Sequence, residues 1–227
     1  MIYKFKNILD YFCFRKIFFY GLFRFLFVLI IQNLNGSVNA KSARLIALGI
    51  SKSYAINPFK TNRLYFQSSM SFKSLSRNNK YEYHPDIGFG YKVSKNLALE
   101  GSVFNYSLGG SSDQIIRAGI QYYFGSNDTL SWVSSLKKVN YKSLKNHNID
   151  NISLDISKWI KCRYNIFRFG LGSIFYKKDD FLHKQRGQIN FILINTIIPV
   201  KIFQLGFETR MNFDMFFYSF SMQKDFY

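Results

Sequence analysis

The stretch from Asp86 to Phe124 reads DIGFGYKVSKNLALEGSVFNYSLGGSSDQIIRAGIQYYF. Taken in twos, Ile87, Phe89, Tyr91 and Val93 fall on one side and Asp86, Gly88, Gly90 and Lys92 on the other. This is the period of a β-strand with one apolar and one polar face, and it excludes a helix. A break at Ser94-Lys95-Asn96 leads to a second alternating run from Leu97 to Leu108. A Gly-Gly-Ser-Ser-Asp loop then leads to a third, in which Ile116, Ala118, Ile120, Tyr122 and Phe124 share a face. Three successive strands joined by one tight turn and one polar loop form an antiparallel meander.

The runs GFGYKVSKNLALEGSVFNYSLGG and IIRAGIQYYF resemble the closing strands of small bacterial outer-membrane β-barrels of the OmpX type. That family commonly shows a Gly-x-Gly-Tyr strand, a tight periplasmic turn, a Leu-x-Leu-Glu strand, a surface loop, and a strand ending in Gly-x-x-Tyr-x-Phe. Gly88 to Tyr91, Leu97 to Glu100 and Gly119 to Phe124 carry those motifs here. The resemblance implies an all-β, transmembrane, up-and-down antiparallel barrel and is nearly silent on function. In the family the last of these strands usually ends the protein, whereas here about a hundred residues follow Phe124.

Outward from this stretch, alternating segments lie near 43–54, 63–75, 80–93, 97–108, 114–124, 129–142, 150–160, 163–176, 188–198, 201–211 and 216–226. Each approaches the length a tilted membrane strand needs, about 9 to 11 residues. Tight connections at 94–96, 125–128, 161–162 and 199–200 alternate with longer polar ones at 107–113, 143–149 and 177–187. Short periplasmic turns alternating with longer outer loops are the plan of such barrels. A bacterial barrel with both termini on one side has an even strand count, and the segment 43–54 would run in the wrong direction. The expectation is about ten strands, with eight as the alternative; a periplasmic β-sandwich is the main alternative fold, since its strands also alternate.

Composition agrees with strands that face lipid. The chain of 227 residues is 48% hydrophobic, yet its mean hydropathy is only -0.09, so apolar residues are dispersed. Aromatics reach 19%, with 26 Phe and 16 Tyr against 2 Trp. Such an excess suits strands at lipid and its interfaces, and AT-rich coding bias accounts for part of it. No stretch after residue 40 has the roughly 18 apolar residues of a spanning helix.

Residues 1–40 have the form of an export signal: basic Lys4, Lys6, Arg15 and Lys16, an apolar run from Phe25 to Ile31, and a small-residue site at Val38-Asn39-Ala40. The mature barrel domain would then be residues 41–227, in a Gram-negative outer membrane. An uncleaved amphipathic anchor is the alternative, since Arg24 interrupts the longer apolar stretch. The net charge of +18 would ordinarily raise the question of nucleic acid. Export redirects it to outer-membrane lipids and lipopolysaccharide, with no nucleic-acid partner expected. Cys13 falls in the signal, which leaves Cys162 alone and no disulfide within one chain. The last strand, Phe216 to Phe226, is amphipathic and ends in aromatics, resembling the signal read by the barrel-assembly machinery; Lys224 interrupts its apolar face.

If Ile87, Phe89 and Tyr91 face lipid, Glu82, His84 and Asp86 face inward on one strand. Two carboxylates and an imidazole on one face are the first candidate for acid/base chemistry. The same register turns Glu100, Ser102, Arg117, Gln121, Asp155, Arg168, Glu208 and Arg210 inward, a mixed-sign set able to fill a narrow lumen. The lumen network is the favoured reading for all of them, and no catalytic residue is assigned. In-strand Gly88, Gly90, Gly119, Gly170 and Gly172 allow curvature or make room for a bulky lumen neighbour. Lys177, Lys178, Lys184 and Arg186, in the expected loop KKDDFLHKQR, are candidate contacts for surface anions such as lipopolysaccharide phosphates, against the plainer reading of a solvated loop.

No metal set, phosphate loop, nucleophile elbow or dinucleotide fingerprint appears, so neither metal nor cofactor is expected. His147 and His183 read as solvated loop residues. The sequence thus points to a monomeric, non-enzymatic outer-membrane barrel with a structural or surface-interaction role. A narrow porin-like channel is the alternative, followed by a barrel enzyme that modifies lipid or peptide.

Overall fold

Ten of the eleven alternating segments are strands, and the eleventh is not. In the computed structural model, which describes residues 38–74, 82–108, 111–126, 129–143, 148–179, 184–213 and 215–226, the order is α1 (Val38–Ile50), then β1 (Leu64–Ser74), β2 (Glu82–Lys92), β3 (Leu97–Leu108), β4 (Ser111–Ser126), β5 (Thr129–Ser143), β6 (Asn148–Lys161), β7 (Ile166–Asp179), β8 (Lys184–Val200), β9 (Phe203–Asn212) and β10 (Met215–Phe226). Every strand pairs antiparallel with its sequence neighbours, and β1 pairs with β10, so the barrel is closed. Following hydrogen-bonded partners once round the ring returns to β1 displaced by about 12 residues, which tilts the strands by about 40° and sets a backbone radius near 10 Å.

The alternation of the sequence becomes two faces. Outward lie Ile87 at 48% exposure, Phe89 at 58% and Ile120 at 45%, with Leu99, Val103, Leu136, Leu154 and Ile156 similarly exposed. Toward the end where the short turns lie, stacked rings line the outer wall: Tyr122 on Phe124 (6.2 Å), Phe124 on Trp132 (6.3 Å) and Phe167 on Phe169 (6.1 Å). An apolar outer band with an aromatic girdle is stable against hydrocarbon and unfavourable in water. On β10, Lys224 faces outward and lays its ammonium 5.2 Å from the Phe226 ring centroid, a snorkelling geometry at the turn end.

The expected ten strands are present, and one other expectation, the loop at 177–187, is corrected. Segment 43–54, which the direction of the strands set apart, is no strand: Val38–Ile50 is helical, with good helix formers such as Ala43, Ala47 and Leu48, and no neighbouring edge is open to pair with it once β1 and β10 have met. The expected loop 177–187 is largely strand, since β7 continues to Asp179 and β8 begins at Lys184, with Lys177 opposite Arg186. Ladder hydrogen bonds need no apolar side chains, so strands extend past the apolar band into polar sequence. The export-signal reading falls on residues outside the described ones as far as Ser37, and Val38 to Ala40 belong to α1. His147 and His183 also lie outside the described residues.

Candidate functional site: a lumen closed by the chain's own segment

The interior is layered, and residues 38–57 run down its axis with a composition matched to each layer. At the loop end the wall is apolar: Ile115, Val139, Ile149, Ile174, Ile189 and Phe191 are buried together with Ala43, Ala47, Leu48 and Ile50 of α1. A helix needs about 10 Å of width, so only small residues on its flanks let it fit this bore; Ala43, Ala47 and Gly49 supply them, and Phe217 lies against Gly49. The helix ends at Ile50, and the hydroxyl of the next residue, Ser51, donates to the Ala47 carbonyl (2.6 Å).

The middle layer is ionic, and the descending segment there is Ser51-Lys52-Ser53-Tyr54. Arg210 donates through Nε to Glu208 (2.8 Å) and through its terminal nitrogens to the Ser51 carbonyl and the Ser53 hydroxyl (3.0 Å). Lys137 donates to the Ser51 carbonyl (3.2 Å) and Ser53 Oγ and pairs with Asp155 (3.1 Å), which also receives Arg168 (2.8 Å). Asp86 pairs with Arg117 (2.6 Å) and accepts the Tyr54 hydroxyl, 3.2 Å from either carboxylate oxygen. Glu100 accepts the Tyr54 backbone N–H (3.0 Å) and the Gln121 amide, and Gln121 also donates to the Tyr54 carbonyl (2.8 Å). Lys52 Nζ has no direct hydrogen bond among the described residues, but lies in the field of Asp86 and Glu208.

Below, the wall is apolar and aromatic again, with Tyr65, Tyr123, Val133, Trp159 and Ile197 packed on Tyr54, Ala55 and Ile56. Tyr123 donates to the Ile56 carbonyl (3.1 Å), and Lys92 donates to the carbonyls of Asn57 (2.7 Å) and Lys60 (2.6 Å). At the turn end Lys60 pairs with Asp225. Space for the segment comes from glycine: a Cβ on Gly88 would overlap the Tyr54 phenol, and one on Gly90 would press on Ile56.

Of the residues that the alternation turned inward, Asp86, Glu100, Arg117, Asp155, Arg168, Glu208 and Arg210 are all buried in the lumen and form the ionic layer. Glu82 and His84 stand on β2 opposite Lys73 and Ser71 of β1, and their side chains lie outside the described residues. Lys177 is half-buried on β7 and pairs with Asp179 (2.7 Å), and Lys184 and Arg186 are exposed on β8. Sequence reasoning missed Ser51, Ser53, Tyr54 and Ile56, which fill the lumen, and the inward Lys137, whereas Lys92 is buried on the polar face where the alternation puts it with Asp86. Lys137 and Lys138 are adjacent, and the run around them carries polar residues in both phases, so alternation alone did not choose between them.

The arrangement fills the bore across all three layers. The four carboxylates of the ionic layer, Asp86, Glu100, Asp155 and Glu208, are each 7% exposed or less and are engaged with barrel cations, with Gln121 or with the segment. Breaking such a buried pair by removing one partner costs about 3–5 kcal/mol, because the remaining charge is left uncompensated.

No protein-family profile matches the chain, and no curated protein matches it. Solved structures do. The translocator domain of the autotransporter NalP from Neisseria meningitidis aligns at 9% identity and TM-score 0.43, over 83% of this chain and 95% of its own. The KdgM porin in complex with disordered oligogalacturonate aligns at 9% and 0.42, over 72% and 99%. Ail, the attachment invasion locus protein of Yersinia pestis, aligns at 8% and 0.31, over 72% and 95%. These are likenesses of one barrel to another, and the fold itself rests on the hydrogen-bonded ring. A closed antiparallel barrel with an apolar, aromatic-girdled exterior is a membrane-spanning protein of the bacterial outer-membrane kind.

Proposed function

We propose that this chain is an outer-membrane β-barrel with a structural or surface-interaction role, its lumen sealed by its own residues 41–57, the part of the axial segment that stays after export. The observation that carries the reading is the filled bore: helix in the upper apolar layer, Ser51 to Tyr54 in the ionic layer, Tyr54 to Asn57 in the lower one. A sealed barrel offers its loops and outer wall as working surfaces rather than a conduit. Residues 1–40 act as the export signal in this reading, and cleavage after Ala40 leaves Lys41 at the start of the mature chain. Phe226, outward on the last strand, serves recognition by the barrel-assembly machinery. The barrel is monomeric and contacts outer-membrane lipids and lipopolysaccharide.

A narrow channel is the second reading. It is favoured by one observation: if 51–57 withdrew, the wall left behind would be lined by charges of both signs. Planar-bilayer conductance separates the two, since a sealed barrel is silent after insertion and a channel conducts. The reading is also non-enzymatic. A hydrolytic activity on lipid or peptide that disappears in a His84→Ala variant would replace it with a barrel enzyme.

A further inference from the structure

The outer wall of β5 to β8 differs from the rest of the exterior. Cross-strand register lines up Lys138, Ile152, Phe175 and Gln188 in one outward row and Asn140, Asp150, Lys177 and Arg186 in the next row toward the loops. Ile152 and Phe175 are 47% and 46% exposed, so the floor is apolar, and an open groove of about 700 Å³ runs over it between Lys138 and Arg186. Asp179 holds Lys177 in an ion pair (2.7 Å), while Asp150 accepts the neutral Asn140 amide (2.5 Å) and keeps its negative charge. Lys138 and Arg186 are exposed and have no carboxylate partner among the described residues.

Height matters as much as charge. Because the ladder climbs toward the loop end from β4 to β8, the two rows rise from Lys138, which pairs opposite Ala118 between Ile116 and Ile120, to Gln188 and Arg186, above the level of both. The groove therefore steps from hydrocarbon at its floor to head groups at its rim. A soluble anion would not need the apolar floor, and a neutral lipid would not need Lys138 and Arg186, which outnumber the one carboxylate of the groove without an ion pair, Asp150. The guanidinium fork of Arg186 suits the paired oxygens of a phosphate, with Lys138 as a point charge opposite.

From this juxtaposition we infer that the groove between Lys138 and Arg186, floored by Ile152 and Phe175, binds the phosphorylated head group of an outer-leaflet glycolipid. The inference rests on the outer-membrane reading and moves the anion contact from the expected loop to the lipid-facing wall.

Titration of the detergent-purified full chain with lipid A tests it, with heat-modifiable gel mobility checked on each sample. Lys138→Gln together with Arg186→Gln should weaken binding at least tenfold. The matched pair Lys161→Gln and Arg163→Gln, exposed at the turn end, should change it less than twofold. Lipid A stripped of its phosphates should bind the wild type as weakly as intact lipid A binds the groove variant. Equal loss in both variants, no loss in either, undiminished binding of dephosphorylated lipid A, or displacement by low-millimolar inorganic phosphate would each overturn the site. A sample that shifts mobility on boiling but shows one of those results overturns the site and leaves the barrel standing; a wild type without the shift overturns both.

Discussion

Replacing Gly88 by alanine tests whether the axial segment and the barrel wall are one packed object. Gly88 faces the lumen beneath Tyr54, and an added methyl would occupy the space of the phenol. The ring must then leave, and its hydroxyl gives up Asp86 at 3.2 Å. A hydrogen bond to a charged group contributes about 1.5–3 kcal/mol, and overpacking in a filled interior costs about 1–3 kcal/mol. We expect Gly88→Ala to destabilise the folded barrel by about 2–3 kcal/mol, lowering the unfolding midpoint by about 5–10 °C for a domain of this size. Gel mobility without boiling, followed over a temperature ramp and paired with near-UV circular dichroism, reads that midpoint. In a Tyr54→Ala background the methyl has room, so the same change should be nearly neutral, a coupling of about 2 kcal/mol. Equal destabilisation in both backgrounds would refute the packing of Tyr54 on Gly88 and, with it, the seating of residues 51–57 in the lumen.

The other predictions concern the ionic layer, the lipid face and orientation. Asp155→Asn leaves Lys137 and Arg168 without their shared carboxylate and should cost about 3–5 kcal/mol in urea unfolding from detergent or lipid; no measurable loss would mean that water already solvates this layer. Ile120→Arg, on the outward apolar band, should cost about 2–4 kcal/mol on refolding into lipid vesicles, and an unaffected refolding yield would place that face away from hydrocarbon. Cys162 is exposed between β6 and β7 at the turn end, so a membrane-impermeant maleimide should label it only after the outer membrane is permeabilised; labelling in intact cells would reverse the barrel's orientation.

Much of the wall could be read from residue order. Where one phase is apolar and the other polar, as in Ile87, Phe89 and Tyr91 against Asp86, Gly88 and Gly90, the strand, its face and its inward charges follow from alternation. The inward placement of Glu100, Arg117, Asp155, Arg168, Glu208 and Arg210 has that origin. Directional bookkeeping of turns and loops also set 43–54 apart from the spanning strands. What it does not reveal is where such a segment goes. ARLIALGI alternates weakly and also places Ala43 and Ala47 one helical turn apart, so periods of two and of three to four fit it alike. Helix formation and entry into the bore are decided by what the closed wall leaves open, which is a property of ten strands together. The mistaken loop at 177–187 has a different cause: above the lipid, a strand needs only its backbone partner, and Lys177 opposite Arg186 carries no hydropathy signal.

The central claim is that the barrel is sealed by residues 41–57. Conductance in a planar bilayer, recorded on the mature protein whose insertion is verified by heat-modifiable mobility, tests it most directly. The account predicts a silent wild type, and stepwise ion conduction when residues 41–57 are deleted. A wild type that conducts steadily from the moment of insertion would contradict it.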